Sequence, residues 1–456
     1  VANISAVNPS TGEVFAEFAQ LTDELLEQSL TRANAAQRLW KKEPVQARSE
    51  LLRSIAREYR ERADALAKDV ALEMGKPIKA ALGELALVAS IYEYYAEQGP
   101  AMLEPKDIPA YASGRAKVRK DPIGVLLGIM PWNFPHYQVA RFVAPNLLLG
   151  NTILLKHASI CAQSAQNIDE LMSAAGVPEG VYSNIFASHA QIEHLVADPR
   201  IKGVSLTGSD GAGERIGALA GKHIKPAVLE LGGSDPFIVF ADADIKKAAA
   251  AAVIGRCNNS GQQCTGAKRF IIEDSVYEEF IELFVQGMES VVVGDPLDEA
   301  TTMGPLSSEA ALVELDGQVK QAVADGARIL TGGSRLDRPG AYYPPTVLDG
   351  VTVENRVYYQ ELFGPVAMVF RVGSIKEAVD LANDSQYGLS SAIFTADEDR
   401  AERIAEDLDT GMVYINAVSK SAPELPFGGV KRSGIGRELG TYGIDEFANL
   451  KLIRRS

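Results

Sequence analysis

Between residues 22 and 99 apolar side chains recur at helical spacing: Leu51, Leu52, Ile55, Tyr59, Ala63 and Leu66 share one face, and charged residues fill the other. That period predicts a helical amino-terminal region. From 108 to 120 the pattern changes, with Ala110, Ala112, Arg115, Lys117 and Arg119 alternating around Gly114. It reads as an irregular or hairpin segment, exposed or paired with another subunit. After Asp121 and Pro122, short apolar runs at 124–130, 152–156, 181–187 and 203–206 alternate with helix-like segments starting near Tyr137, Gln163 and Gln191. Such alternation predicts βαβ units, a parallel sheet and a surface suited to nucleotide binding. Further runs at 226–230, 237–240, 269–272, 365–370 and 412–415 place the start of a second α/β domain near residue 230. Pro- and Gly-rich patches are short and fall at predicted turns, and no internal repeat stands out.

Composition narrows the class. A chain of 456 residues, 46% hydrophobic and 23% charged, has room for at least two cores, since a domain typically holds about 100–200 residues. No apolar stretch reaches the roughly 20 residues that cross a bilayer, and Val1, Ala2 and Asn3 do not open a secretory signal. A cytoplasmic location is expected. The formal charge of −15 argues against nucleic-acid or anionic-membrane binding, because both need a positive surface. Cys161, Cys257 and Cys264 are too few for a disulfide framework and lack metal-ligand spacing with histidine, so no metal is expected. A reduced compartment and one reactive thiol fit best.

Four segments hold candidate chemistry. Cys264 ends NSGQQC at 259–264, just after a helical run, and reads either as a buried structural cysteine or as a nucleophile. Glu230 closes a predicted strand, where a carboxylate either caps a turn or points into a cleft. In PWNFP at 131–135 two prolines stiffen a loop that holds the Asn133 side chain, or simply packs its aromatics. Thr207, Gly208, Ser209 and the small residues to Gly213 join a strand to a helix, as phosphate-binding turns do, although the glycine spacing is not GxGxxG.

Together these segments resemble the aldehyde dehydrogenase superfamily from about residue 5 to the carboxyl end, through PWNFP at 131–135, LLKHA at 154–158, TGS at 207–209, ELGGSDP at 230–236, GQQC at 261–264, QELFGPV at 360–366 and PFGGVKRSGIGRE at 426–438. Within it the chain is most similar to bacterial succinate-semialdehyde dehydrogenases, particularly those with KHA at this point. The resemblance implies an α/β fold with a Rossmann-like cofactor domain (1–104 and 123–229), an α/β catalytic domain (230–435) and a small bridging, oligomerisation element (105–122 and 436–456). A homodimer or dimer of dimers is implied with it.

The resemblance also implies roles. Cys264 attacks the aldehyde carbonyl, Asn133 and the Cys264 backbone N–H hold the oxyanion, and Glu230 activates the water that releases the acid. Trp132, Lys156, Ser159, Gly208, Ser209, Leu231, Gly232, Glu361 and Phe363 match cofactor-binding positions. Ser159 stands where NAD-selective relatives carry a glutamate, which favours NADP, with NAD possible; otherwise Ser159 simply starts the next helix. Arg141 and Ser421 match residues that grip the distal carboxylate of a semialdehyde. Asn258 replaces a second arginine found in some relatives, so glutarate semialdehyde or a neutral aldehyde stays open. A cofactor-independent thiol esterase and an inactive binding protein are the readings from other classes; Cys161 and Cys257 are expected in the core or on helices.

Overall fold

The structure, a computed structural model, describes residues 3–109 and 114–455; Ala110 and Ala112 of the alternating segment, like Val1 and Ala2, lie outside the described residues. A hairpin of β1 (Asn3–Val7) and β2 (Val14–Ala19), for which the sequence pattern gave no expectation, precedes the helices α1 (Asp23–Trp40), α2 (Val45–Glu61), α3 (Ala63–Met74) and α4 (Ile78–Met102). Thr22 caps α1 by accepting the Leu25 N–H, and Gly75 ends α3 in the left-handed conformation (φ +79°), the two sequence signals a helix boundary most needs. Leu52, Ile55, Tyr59 and Leu66 are buried as their spacing predicts.

The segment that follows is a hairpin, β3 (Lys106–Ile108) with β4 (Arg115–Pro122). Next comes the alternation: β5 (Val125–Met130), α5 (Tyr137–Leu149), β6 (Thr152–His157), α6 (Ala162–Ala174), β7 (Tyr182–Asn184), α7 (His189–Ala197), β8 (Ile201–Thr207), α8 (Asp210–Lys222) and β9 (Ala227–Glu230). Four strands of this series are nearly continuous apolar runs, as expected where helices cover a parallel sheet. β7 is shorter than the run at 181–187. After it the chain leaves the sheet, and Ser188 starts α7 with a capping box closed by Gln191.

A second series follows: β10 (Asp235–Val239), α9 (Ile245–Cys257), β11 (Ala267–Glu273), α10 (Tyr277–Glu289), α11 (Glu309–Ala324), β12 (Arg328–Thr331), β13 (Thr346–Asp349), β14 (Val366–Val372), α12 (Ile375–Asn383), β15 (Tyr387–Gly388), β16 (Ser390–Phe394), α13 (Glu398–Glu406) and β17 (Met412–Ile415). The chain ends with β18 (Val430–Lys431), β19 (Gly434–Ile435) and β20 (Ala448–Arg455).

The strands assemble into two main sheets. The first has the order β19-β9-β8-β5-β6-β7, parallel except for β19, and the second the order β12-β13-β14-β11-β10-β16-β17, parallel except for β12. The chain crosses between them through 231–234, so Glu230 ends the first sheet just before Asp235 opens the second. β19 returns to the first sheet, with Gly434 opposite Glu230. β20 lies along β4, with Leu452 opposite Val118, in a separate sheet β20-β4-β3. Among the described residues no helix is long and apolar enough to cross a membrane.

Candidate active site

Loops that follow strands of the first sheet face loops that precede strands of the second. From the first come 131–135 after β5, 208–210 after β8 and 231–233 after β9, the strand ends where open α/β sheets bind ligands. From the second come Cys264 just before β11 and Glu361 and Phe363 just before β14. Between them lies a cleft of about 660 Å³, lined by Trp132, Asn133, Gly208, Ser209, Glu230, Leu231, Gly232, Cys264, Glu361 and Phe363. Ten of the fourteen positions singled out in the sequence therefore share one cavity. The other four, Lys156, Ser159, Arg141 and Ser421, are not among its lining residues.

The loop that leads to Cys264 is held in an unfavourable backbone shape. Asn259 (φ +53°) and Ser260 (φ +56°) are both left-handed and followed by Gly261 (φ +70°), a conformation that costs a non-glycine residue about 1–3 kcal/mol. Surrounding bonds hold it there. Asn259 Nδ2 donates to the carbonyls of Asn133 (2.9 Å) and Gln262 (3.1 Å), Ser260 Oγ donates to the Gly304 carbonyl (2.9 Å), and the buried Arg256 donates to the Gly261 carbonyl. At Gly261 a Cβ would lie 2.3 Å from the Gly364 carbonyl carbon, so that position is closed to any side chain.

Cys264 is half-buried, while Cys161 and Cys257 are buried in the cores as expected. Burial pushes the Cys264 thiol up to about 12, against the pull of Arg141 and Lys268 and with a further push from Glu361 and Asp235. The resting group is a thiol that needs a base or a cation to react. Asn133 Nδ2 donates to the Gln262 carbonyl (3.1 Å), which fixes the amide and leaves its second N–H for another acceptor. The Cys264 backbone N–H donates to nothing among the described residues. These two free donors suit an oxyanion.

Both carboxyl oxygens of Glu230 are buried without a hydrogen-bond partner. Burial pushes this group well above the usual carboxylate range, opposed by Arg141 and Arg437 and helped by Glu438 and Glu446. Gly428 makes room for it, since a Cβ there would come within 2.7 Å of Glu230 Oε1.

On the cofactor side Glu361 Oε1 accepts the Gly233 N–H (3.0 Å) and pairs with Lys268 (3.1 Å), and a Cβ on Gly232 would meet Oε2 at 2.2 Å. The Trp132 and Phe363 rings meet edge to face at 5.7 Å. Ser209 caps α8 by accepting the Ala212 N–H (3.4 Å), and Asp210 in the first turn is paired with Arg432 (3.1 Å). Lys156, at the end of β6, is half-buried, has no ion pair or hydrogen bond among the described residues, and is held below its usual range by burial. Ser159 is exposed and starts a short 3-10 turn, Ser159–Cys161, without capping it. A glycine cradle against a carboxylate, with an unpaired ammonium and a non-capping hydroxyl three residues apart at the end of β6, fits a phosphorylated dinucleotide.

Arg141 is not an open cation. It is buried, ion-paired with Glu438, stacked over Phe427 (4.1 Å) and within 3.4 Å of the Tyr137 hydroxyl and of Thr207 Oγ1. Tyr137 in turn donates to Ser421 Oγ (2.8 Å), so Arg141 and Ser421 meet through a residue that the sequence reading did not single out. Gln138 was missed as well: it lines the cleft, and its buried carboxamide oxygen has no partner. The signal for both was faint, being polar groups next to Arg141 in an otherwise apolar helix. Asn258 Nδ2 donates to Gln263 Oε1 (3.4 Å), so the position where some relatives carry a second arginine holds a neutral amide. Among the described residues no cluster of side chains suited to a metal ion occurs.

A parallel-sheet cleft that sets a half-buried cysteine, two free N–H donors and a buried carboxyl beside glycine turns at strand ends fits an α/β enzyme that works on a bound dinucleotide. The chain belongs to the aldehyde dehydrogenase family, whose profile it matches over residues 2–453. It is 52% identical over 450 residues to a succinate-semialdehyde dehydrogenase [NADP(+)] of Deinococcus radiodurans, covering 99% of this chain and 94% of that one. It is 44% identical over 452 residues to succinate-semialdehyde dehydrogenase [NADP(+)] 1 of Mycobacterium tuberculosis, covering 99% of each. The crystal structure of the succinic semialdehyde dehydrogenase of Streptococcus pyogenes in complex with NADP+ superposes with a TM-score of 0.97 at 41% identity, covering 99% of both chains.

Proposed function

We propose that the protein oxidises succinate semialdehyde to succinate with NADP as the electron acceptor. The observation that carries this reading is the single cleft uniting Cys264, Asn133 and Glu230 with Glu361, Phe363 and the Gly208–Ser209 and Leu231–Gly232 turns, in a chain 44–52% identical to enzymes of that activity. Glu361, Trp132, Phe363 and the two turns would hold the nicotinamide half and pyrophosphate, and Lys156 with Ser159 the adenosine ribose and its 2′-phosphate.

Cys264, deprotonated, adds to the aldehyde carbon while the carbonyl electron pair moves onto oxygen, where Asn133 Nδ2 and the Cys264 N–H receive it. The bound dinucleotide supplies the acceptor for the two electrons that leave with the former aldehyde hydrogen. The thioester left on Cys264 is cleaved by water, whose proton passes to Glu230. The carbon–sulfur bond breaks and Cys264 is free again.

The substrate's distal carboxylate is assigned to the Ser421–Tyr137 hydroxyl pair, with Arg141 behind it as a charge already balanced by Glu438. The cofactor domain at 1–104 and 123–229, the catalytic domain at 230–435, a cytoplasmic location and a homodimer or dimer of dimers are parts of the same proposal. The sheet β20-β4-β3 ends on exposed strands, with Leu450 and Leu452 about 60% exposed, and pairing with a second copy would cover them. The test is NADPH formation with succinate semialdehyde, run beside NAD and beside a neutral aldehyde of similar length. No reduced cofactor with any aldehyde overturns the proposal.

A further inference from the structure

Lys268 is the second residue of β11, four residues beyond the nucleophile, and its side chain is fully buried. Its ammonium reaches the carbonyl oxygens of Gln263 (3.0 Å) and Cys264 (2.9 Å) and Glu361 Oε1 (3.1 Å). Three acceptors match the three N–H donors of an ammonium. Two belong to the nucleophile loop, and the third to the carboxylate on the cofactor side of the cleft. The same Glu361 oxygen takes the Gly233 N–H (3.0 Å), so the crossover 231–234, the nucleophile loop and the segment before β14 meet at one buried cation.

A bare ammonium is an expensive group to bury, and neutral donors would tie two carbonyls as well. What a neutral donor lacks is charge. The charged and titratable groups that face Cys264 are Arg141 and Tyr137 from α5, Lys268 from β11, Asp235 from β10 and Glu361. Glu230, from β9, lines the same cleft. Of the two cations, Arg141 is neutralised by Glu438. Lys268 shares its charge between Glu361 in contact and Asp235, whose carboxyl burial pushes up to about 7 and Lys268 pulls back.

We propose that Lys268 is a positioning residue which locks the nucleophile loop and Glu361 into one unit and, through its charge, favours the reactive thiolate of Cys264. This rests on the reading of Cys264 as nucleophile and of Glu361 as a carboxylate that holds the nicotinamide half of the cofactor. It adds an anchor just beyond the strained 259–261 backbone to those that Asn259, Ser260 and Arg256 supply within and before it.

The test is alkylation of Cys264 by iodoacetamide across pH, read by peptide mass spectrometry on the full chain without aldehyde or cofactor, in Lys268→Met, Lys268→Gln and Lys268→Arg. Both neutral variants should move the half-maximal rate upward by about one pH unit and raise the KM for NADP several-fold, and the Arg variant should keep the parental profile. Buried Cys161 and Cys257 serve as folding controls: if the Met variant exposes them, the Gln variant, whose amide still reaches a carbonyl, gives the reading. A parental alkylation profile in a folded neutral variant overturns the proposal. Because alkylation needs no turnover, an enzyme that oxidises no aldehyde would reject the dehydrogenase reading and leave the Lys268 result standing.

Discussion

Single residues set the chemistry, and five of them give sharp expectations. Glu230 accepts a proton only as a carboxylate, and its range is raised, so the base form is lost as pH falls well before the ordinary carboxylate range is reached. The turnover number should therefore decline on acidification from neutral pH, and a pH–rate profile checks this. Glu230→Gln should lower steady-state turnover roughly 10²–10⁴-fold, with a burst of NADPH equal to the enzyme present, because the thioester still forms. For the cofactor, Ser159→Glu should reduce kcat/KM for NADP at least tenfold, about 1.4 kcal/mol or more, and spare NAD; kinetics with both dinucleotides decide. For the substrate, Tyr137→Phe and Ser421→Ala should each raise the KM for succinate semialdehyde several-fold and leave a neutral aldehyde unchanged. Arg141→Met is a different experiment. It strands Glu438 in the interior and should cost about 3–5 kcal/mol of stability, visible in thermal melting whatever the substrate.

At the scale of elements, much was legible because parallel strands write themselves as apolar runs. The runs at 124–130 and 203–206 became β5 and β8, and the helix starts near Tyr137, Gln163 and Gln191 fall within two residues of the observed ones. The site was legible where ordered blocks coincide with strand ends, as at PWNFP and ELGGSDP. What stayed hidden was geometry that no periodicity encodes. The left-handed turn at Asn259 and Ser260 depends on partners more than forty residues away in the chain, such as Gly304 and Asn133. Lys268 lies just outside the apolar run at 269–272 and drew no reading from the sequence, and only the fold brings Glu361 to it. Gly261 makes the strain testable. Gly261→Ala places a methyl group against the Gly364–Pro365 backbone at a positive φ, so it should destabilise the protein by more than ~1 kcal/mol and slow Cys264 alkylation, measured by melting and mass spectrometry.

Across the whole molecule, the two sheets are bound together by the last part of the chain. β20 completes the small sheet beside β4, and removing 448–456 should convert the expected oligomer to monomers in sedimentation analysis while leaving the cleft intact. β19 matters in another way. It lays Gly434 against Glu230, and the neighbouring Gly428 and Arg437 complete the wall around that carboxyl. During synthesis, Cys264 therefore leaves the ribosome some 170 residues before the strand that packs against Glu230, a span that takes about 10–30 s to translate. A growing chain carries a cysteine but no finished site, and a chain cut short near residue 425 would keep Cys264 and Glu230 but lack Gly428, Gly434 and Arg437, the wall that encloses that carboxyl.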